Sequence, residues 1–235
     1  MDRAEEYDKA KTEMIAGMSH DLRTPLTSIS GNASNLLSNA DYFDKETKKQ
    51  LYLDIYDDSM WLINLIENML SVTRLEEGRM NLNISVELVD DVIQEALRHV
   101  DRKKDEHTIT VEHEDELLLA RMDSRLIVQM VINLVDNAIK YTNTGGITIK
   151  LCSYELFACV EVTDTGIGIG EEEHAAVFGR FYRGNAVAEK SGVGIGLYLA
   201  RFIMQQQGGY IRLSSVPGAG STFGLYFPTA IVSKL

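Results

Sequence analysis

Two periods divide the chain. Over residues 5–77 apolar positions recur at three- and four-residue steps: Ile15, Met18, Leu22, Ile29 and Leu36, then Leu51, Ile55, Leu62, Leu65, Met69 and Val72. That spacing predicts two long amphipathic helices. The second has a heptad-like stripe on which Asp58 is the one polar residue. Between them NADYFDKET carries turn and cap residues, with Asp44 placed as an N-cap. A connection that short makes the helices antiparallel neighbours. One hairpin cannot cover its own stripe and two can, so the pattern predicts a dimeric four-helix bundle.

Past Gly78, a helix stop, the period changes. NLNISV alternates as a strand does, and Val89, Val92, Ile93, Ala96, Leu97 and Val100 mark a helix. HTITVEH and LLLAR read as strands, residues 123–141 as a helix, and GITIKLCSYE with LFACVEVTD as a strand pair. A helix over 196–207 and the strands YIRLSS and STFGLYF close the chain. The fold class is therefore α+β in two domains, a helical hairpin over 1–78 and an α/β sandwich with helices packed on a sheet over 79–235.

Composition excludes some partners. There are 35 acidic residues against 23 basic ones, a formal charge of -12. Binding to nucleic acid or an anionic membrane needs clustered Lys and Arg, so neither is expected as a partner. No apolar run approaches the roughly 20 residues that span a bilayer, and no signal peptide stands at the start. Cys152 and Cys159 have apolar neighbours and no CxxC spacing, and read as packed thiols in a reducing compartment. His99, His107, His113 and His174 show no metal-ligand spacing and read as ordinary polar residues.

Candidate chemistry begins in SHDLRTPL. If Ile15 and Leu22 face the bundle seam, His20 faces solvent, with Asp21 beside it, Arg23 and Thr24 a turn on, and Pro25 closing the stretch. A lone histidine there would be an ordinary surface residue; beside an aspartate it can be prepared for proton or group transfer. Proline removes a helix hydrogen bond, so a kink is expected just beyond the pair, either a fixed bend or one that lets the histidine half move.

No GxxxxGK[ST] motif is present. Instead NLVDNAIKY puts Asn133, Asn137 and Lys140 on one helix face, with Tyr141 next. Amide oxygens suit Mg²⁺, and a lysine ammonium suits phosphate. DTGIGI, from Asp164 through Gly166 and Gly168 to Ile169, follows a strand and permits close backbone approach to a ligand. GVGIGL, with Gly192, Gly194, Gly196 and Leu197, precedes a helix whose first N–H groups can face phosphate. GSTF supplies Thr222 before the last strand. Each glycine run alone marks only a turn; their order and spacing together mark a nucleotide site.

From about residue 11 to 228 these segments resemble the sensor histidine kinases of two-component systems: SHDLRTPL their phosphoacceptor box, NLVDNAIKY their asparagine box, VFGRFYRG their phenylalanine box, and the rest their glycine boxes. The resemblance implies a homodimeric helical phosphotransfer domain joined to an ATP-binding sandwich of the gyrase and histidine kinase type. His20 would take the γ-phosphoryl of ATP, Asp21 would accept a proton from its ring, and Thr24 would hold the water that dephosphorylates a partner. Asn137 would ligate Mg²⁺ and Asp164 would hydrogen-bond the adenine amino group. Asn133, Lys140, Tyr141, Gly166, Gly168, Ile169, Gly192, Gly194, Gly196, Leu197 and Thr222 would complete the nucleotide pocket. Phe178 and Phe181 would anchor a lid over residues 183–192, and Arg183 would reach the γ-phosphate. The departures are Ser191, where another glycine is frequent, and Gly170, where proline or serine is.

Three functions compete on this reading. The first is a protein-histidine kinase that passes phosphate from His20 to an aspartate of a response regulator and also dephosphorylates that regulator. The second is a gyrase-type ATPase, which needs a glutamate base where Asn133 stands. The third is a nucleotide-binding scaffold that has lost catalysis, which would show as damage to the histidine or asparagine boxes; both are whole. Nineteen residues precede His20, too few for a sensor domain, so the expectation is the cytoplasmic portion of a larger sensor, membrane-anchored or fused. The wording of the boxes is similar to the potassium-sensing subgroup.

Overall fold

The structure, a computed structural model, describes residues 3–100, 107–115, 117–182, 184 and 194–230, with side chains at all of these except 3–18, 20, 21, 40 and 76. The hairpin consists of α1 (Arg3–Asn39), a 3₁₀ turn (Ala40–Tyr42) and α2 (Lys45–Glu76). Asp44 caps α2 as expected, its Oδ1 accepting the Thr47 N–H at 2.7 Å. That bond holds the Asp44 carboxyl below the usual carboxylate range. Pro25 lies buried inside α1, which runs as one helix from Arg3 to Asn39. Gly78 ends α2 at φ +64°. The Arg79 N–H donates to the Arg74 carbonyl at 2.8 Å and the Gly78 N–H to that of Leu75 at 3.0 Å, a paired helix stop.

The expected stripe on α2 does not wait for a second hairpin. Leu65 and Val72 are already buried, and Val72, with Met69 and Leu75, joins the same apolar cluster as the sandwich core. What α2 leaves uncovered is the neighbouring stripe of Tyr52, Tyr56, Ile63, Ile66 and Leu70.

The second half holds β1 (Ser85–Leu88), α3 (Val89–Val100), β2 (Thr108–His113), β3 (Leu119–Met122), α4 (Ser124–Tyr141), β4 (Gly146–Tyr154), β5 (Phe157–Asp164), α5 (Gly196–Gln206), β6 (Tyr210–Val216) and β7 (Gly220–Pro228). Five strands form a sheet in the order β2-β4-β5-β7-β6, with β2 parallel to β4 and every other pair antiparallel. β1 and β3 pair separately. Alternation along the strands turns Ile147, Ile149, Leu151, Val160, Leu225 and Phe227 inward, where they meet Ile93, Met130, Leu134, Leu199 and Ile203 from the helices. Fully burying such side chains stabilises by about 1.5–3 kcal/mol each relative to exposure.

Two expectations shift. The strand expected over NLNISV begins only at Ser85, because the backbone N–H of Asn83 is donated to the buried Asp123 Oδ2 at 2.9 Å rather than to a neighbouring strand. His107 is buried, its Nε2–H donating to the Thr142 carbonyl at 2.7 Å. Among the described residues no helix is long and apolar enough to cross a membrane.

Candidate nucleotide site

Helix α4 is built to carry polar groups along one edge. Asp123 caps it, accepting the Leu126 N–H at 3.4 Å, and Ile127, Met130, Val131, Leu134, Val135 and Ala138 bury its apolar face. The remaining edge presents Asn133, Asn137 and Lys140 to a cavity of about 500 Å³, within the range of small-ligand pockets. Tyr141 lines the same cavity, with the Lys140 ammonium 4.9 Å from its ring centre.

β5 delivers Asp164 to the cavity wall at 7% exposure. Its Oδ1 accepts the Gly166 N–H at 2.8 Å. Burial pushes this carboxyl above the ordinary value of 3.8, while hydrogen bonds from the Gly166 and Ser221 backbones pull the other way. The following loop is stitched down on both sides. The Ile167 N–H donates to the Tyr141 carbonyl at 3.2 Å, and the Ile167 carbonyl accepts the Gly218 N–H at 2.7 Å. The Ile169 N–H donates to Ser215 Oγ at 2.8 Å. Gly168 has φ +69°, and a Cβ there would stand 2.1 Å from the Val216 carbonyl oxygen. Only glycine fits that approach.

Gly194, Ile195, Gly196 and Leu197 form the wall where α5 begins. Ile195 provides no side-chain cap, so the first N–H groups of α5 keep their capacity for an anion. A Cβ on Gly196 would lie 3.7 Å from the Asn133 side chain, which brings the α4 amides to the α5 N-terminus. Phe178 is buried, and Phe181, at φ +61°, donates its N–H to the Gly194 carbonyl at 3.0 Å.

The cavity thus gathers Asn133, Asn137, Lys140, Tyr141, Asp164, Gly168, Ile169, Gly194, Gly196 and Leu197, with Gly166 held against Asp164. Thr222 is not brought there. It lies on the opposite face of β7, its Oγ1 3.0 Å from Thr163 Oγ1, and Ser221 and Phe223 line the cavity instead. Strand alternation outward from Phe223 carries that signal. His20 and Asp21 lie within α1 with their side chains outside the described residues, and Thr24 is exposed on the same helix. Arg183, Ser191 and Gly192 lie outside the described residues. One wall went unread in the sequence: Trp61, Asn64, Leu65 and Asn68 of α2 also line the cavity, as do Glu173 and Tyr182, joined by a 2.6 Å hydrogen bond.

Chemically, the amides, the lysine and the helix N-terminus suit a polyphosphate, while Ile167, Ile169, Val177 and Leu197 offer an apolar slot beside Asp164. No group of three His, Cys, Asp or Glu side chains capable of holding a metal occurs among the described residues. Asn133 and Asn137 present amide oxygens to the cavity, donors that would suit a hard cation such as Mg²⁺.

The family described as His Kinase A (phospho-acceptor) domain matches residues 10–78, and that described as Histidine kinase-, DNA gyrase B-, and HSP90-like ATPase matches residues 122–231. Sensor protein KdpD of Clostridium acetobutylicum is 35% identical over 226 residues, covering 95% of this chain and 25% of that protein. The histidine kinase AdeS of Acinetobacter baumannii shares the fold at a TM-score of 0.60 and 23% identity, covering 89% of this chain and 97% of that one. Histidine kinase ThkA, solved in complex with response regulator protein TrrA, shares it at a TM-score of 0.59 and 22% identity, covering 97% of this chain and 64% of that one. The chain spans 25%, 28% and 31% of the lengths of three curated relatives.

Proposed function

The chain belongs to the sensor histidine kinases, and we propose that it is the catalytic core of one, phosphorylating itself on His20 from ATP and passing the phosphoryl group to an aspartate of a response regulator. The observation that supports this most is the pairing of an intact histidine box on α1 with one cavity that joins the α4 amides, Lys140, Asp164 and the uncapped N-terminus of α5. A gyrase-type ATPase would need a base where Asn133 stands, and an amide cannot act as one.

The division of labour falls at Gly78, with residues 1–78 supplying the nucleophile and 79–235 holding the nucleotide. Asp164 receives the adenine amino group, and Asn133, Lys140 and the α5 N-terminus hold the phosphates. Mg²⁺ at Asn137 would supply charge neutralisation on the phosphate oxygens. A free imidazole nitrogen of His20 attacks the γ-phosphorus as the bond to the β–γ bridging oxygen breaks, ADP leaves, and Asp21 takes the proton from the other ring nitrogen. Arg183 supplies further positive charge to the γ-phosphate. Thr24, a turn past His20, positions water for the reverse duty of dephosphorylating the regulator.

The ThkA–TrrA complex supports a response regulator as partner. The uncovered stripe on α2 supports a homodimer. The KdpD relative supports placement in the potassium-sensing subgroup, with this chain as the cytoplasmic part of a longer sensor.

The test is incubation with radiolabelled ATP and Mg²⁺ beside His20→Gln and Asn137→Ala. Acid-labile, alkali-stable label on the unmodified chain alone is the expected result. Label surviving in His20→Gln rejects the phosphoacceptor, and nucleotide binding with no label favours a scaffold.

A further inference from the structure

The α2 wall of the cavity is held there by side-chain amides. Asn68 Nδ2 donates to Asn133 Oδ1 at 3.3 Å, and Asn133 Nδ2 donates back to Asn68 Oδ1 at 3.3 Å. One turn earlier on both helices, Gln129 Nε2 donates to Asn64 Oδ1 at 3.5 Å. The matched spacing, 64 and 68 against 129 and 133, means that α2 and α4 run in the same direction here, with one amide pair per turn.

A carboxamide has one oxygen and two N–H groups. In the reciprocal pair the Asn133 oxygen faces the N–H of Asn68, and the Asn133 nitrogen faces an oxygen. A cation or phosphate at the α5 N-terminus, against which Asn133 packs through Gly196, asks for the same atoms. While the pair is made, the Asn133 N–H spent on Asn68 is turned away from phosphate, and one lone pair of its oxygen is already engaged. Docking of α2 and loading of the nucleotide therefore draw on one side chain.

We propose that Asn68 forms an inhibitory clasp on Asn133, so that nucleotide binding and release of the sandwich from α2 are two sides of one equilibrium. This rests on the reading of Asn133 as a nucleotide contact. Two neutral hydrogen bonds between half-buried groups set the coupling at roughly five- to a hundred-and-fiftyfold. Linkage makes it reciprocal: nucleotide weakens the docking of α2 by the same factor by which docking weakens nucleotide. A loaded sandwich is thereby the one freed to move along the bundle, while an empty one stays parked.

The test titrates ADP with Mg²⁺ into the full chain, and repeats it with chelator, for the unmodified protein, Asn68→Ala, Asn133→Ala and the double variant. Trp61 is the one tryptophan in the sequence and lines the α2 wall, so its emission reports whether that wall stays. Asn68→Ala is expected to tighten Mg²⁺-dependent binding roughly five- to a hundred-and-fiftyfold, and to do nothing once Asn133 is alanine. Saturating nucleotide should red-shift Trp61 in the unmodified chain, and Asn68→Ala should show that shift before nucleotide is added. Unchanged or weaker binding in Asn68→Ala, or Trp61 emission indifferent to nucleotide, overturns the clasp. Asn133→Ala with undiminished Mg²⁺-dependent affinity instead overturns the role given to Asn133, a failure distinct from that of the clasp.

Discussion

Asp164 accepts the backbone N–H of Gly166 at 2.8 Å while its carboxyl is buried at the cavity wall. The loop is thereby folded around an acid whose charge the site disfavours, since burial raises its carboxyl above 3.8. A raised acid binds its proton more tightly in the folded state than in the unfolded one. Its favourable contribution is therefore present below about 3.8 and lost as pH rises through the folded value. Asp164→Asn should melt above the unmodified chain at pH 7, the gain shrinking as pH falls toward 3.8. The same variant should lose roughly ten- to a hundredfold in ADP affinity, the cost of removing a charged acceptor. Scanning calorimetry from pH 4 to 8 and nucleotide titration check the two halves. Lower stability at neutral pH would contradict the electrostatic account.

Most elements were legible because their periods differ: three to four in α2 and α4, two in β4 and β5. The glycines of DTGIGI marked a site because Gly168 meets the Val216 carbonyl, a demand no other residue satisfies. Tertiary choices were not legible. Asn64 and Asn68 are a turn apart, and no motif marks them in the sequence; their role is visible only once α4 lies against them. β1 starts late because Asn83 is spent on Asp123, forty positions away. The stripe read as a dimer seam was half taken by the sandwich, through Val72 and Met69.

Gly168 and Gly78 separate two costs of replacing glycine. Both have positive φ, +69° and +64°. A Cβ at Gly78 meets nothing within 4 Å, whereas at Gly168 it meets the Val216 carbonyl oxygen at 2.1 Å. Gly78→Ala should cost about 1–2 kcal/mol, the left-handed penalty alone. Gly168→Ala should cost more, about 3 kcal/mol, and weaken nucleotide binding as the loop shifts. Urea denaturation of the two variants measures the difference, and equal costs would mean that the Gly168 loop yields freely.

The thiols of Cys152 and Cys159 face each other across β4 and β5. Burial raises both, Cys159 far above the ordinary thiol value. Little thiolate exists at pH 8, so reaction with Ellman's reagent should be slow in the native chain and rapid in guanidinium. Fast native labelling of both would mean that this edge of the sheet opens.

The uncovered stripe of α2 repeats at steps of four and three: Tyr52, Tyr56, Ser59, Ile63, Ile66, Leu70, Thr73. Its two polar members are neutralised within the helix, since Ser59 Oγ donates to the Ile55 carbonyl at 2.6 Å and Thr73 Oγ1 to the Met69 carbonyl at 3.0 Å. A seam of that period, with Ile66 at 48% exposure in the single chain, is what one helix offers another in a left-handed bundle. Ile66→Lys adds a charge to that seam without touching the buried Leu65 and Val72. Light scattering should find the unmodified chain dimeric and Ile66→Lys monomeric, with helix content by circular dichroism unchanged. Leu65→Lys should instead leave the dimer intact and weaken nucleotide binding, because that position is buried within one chain at the cavity wall. A dimer that survives Ile66→Lys would place the interface elsewhere.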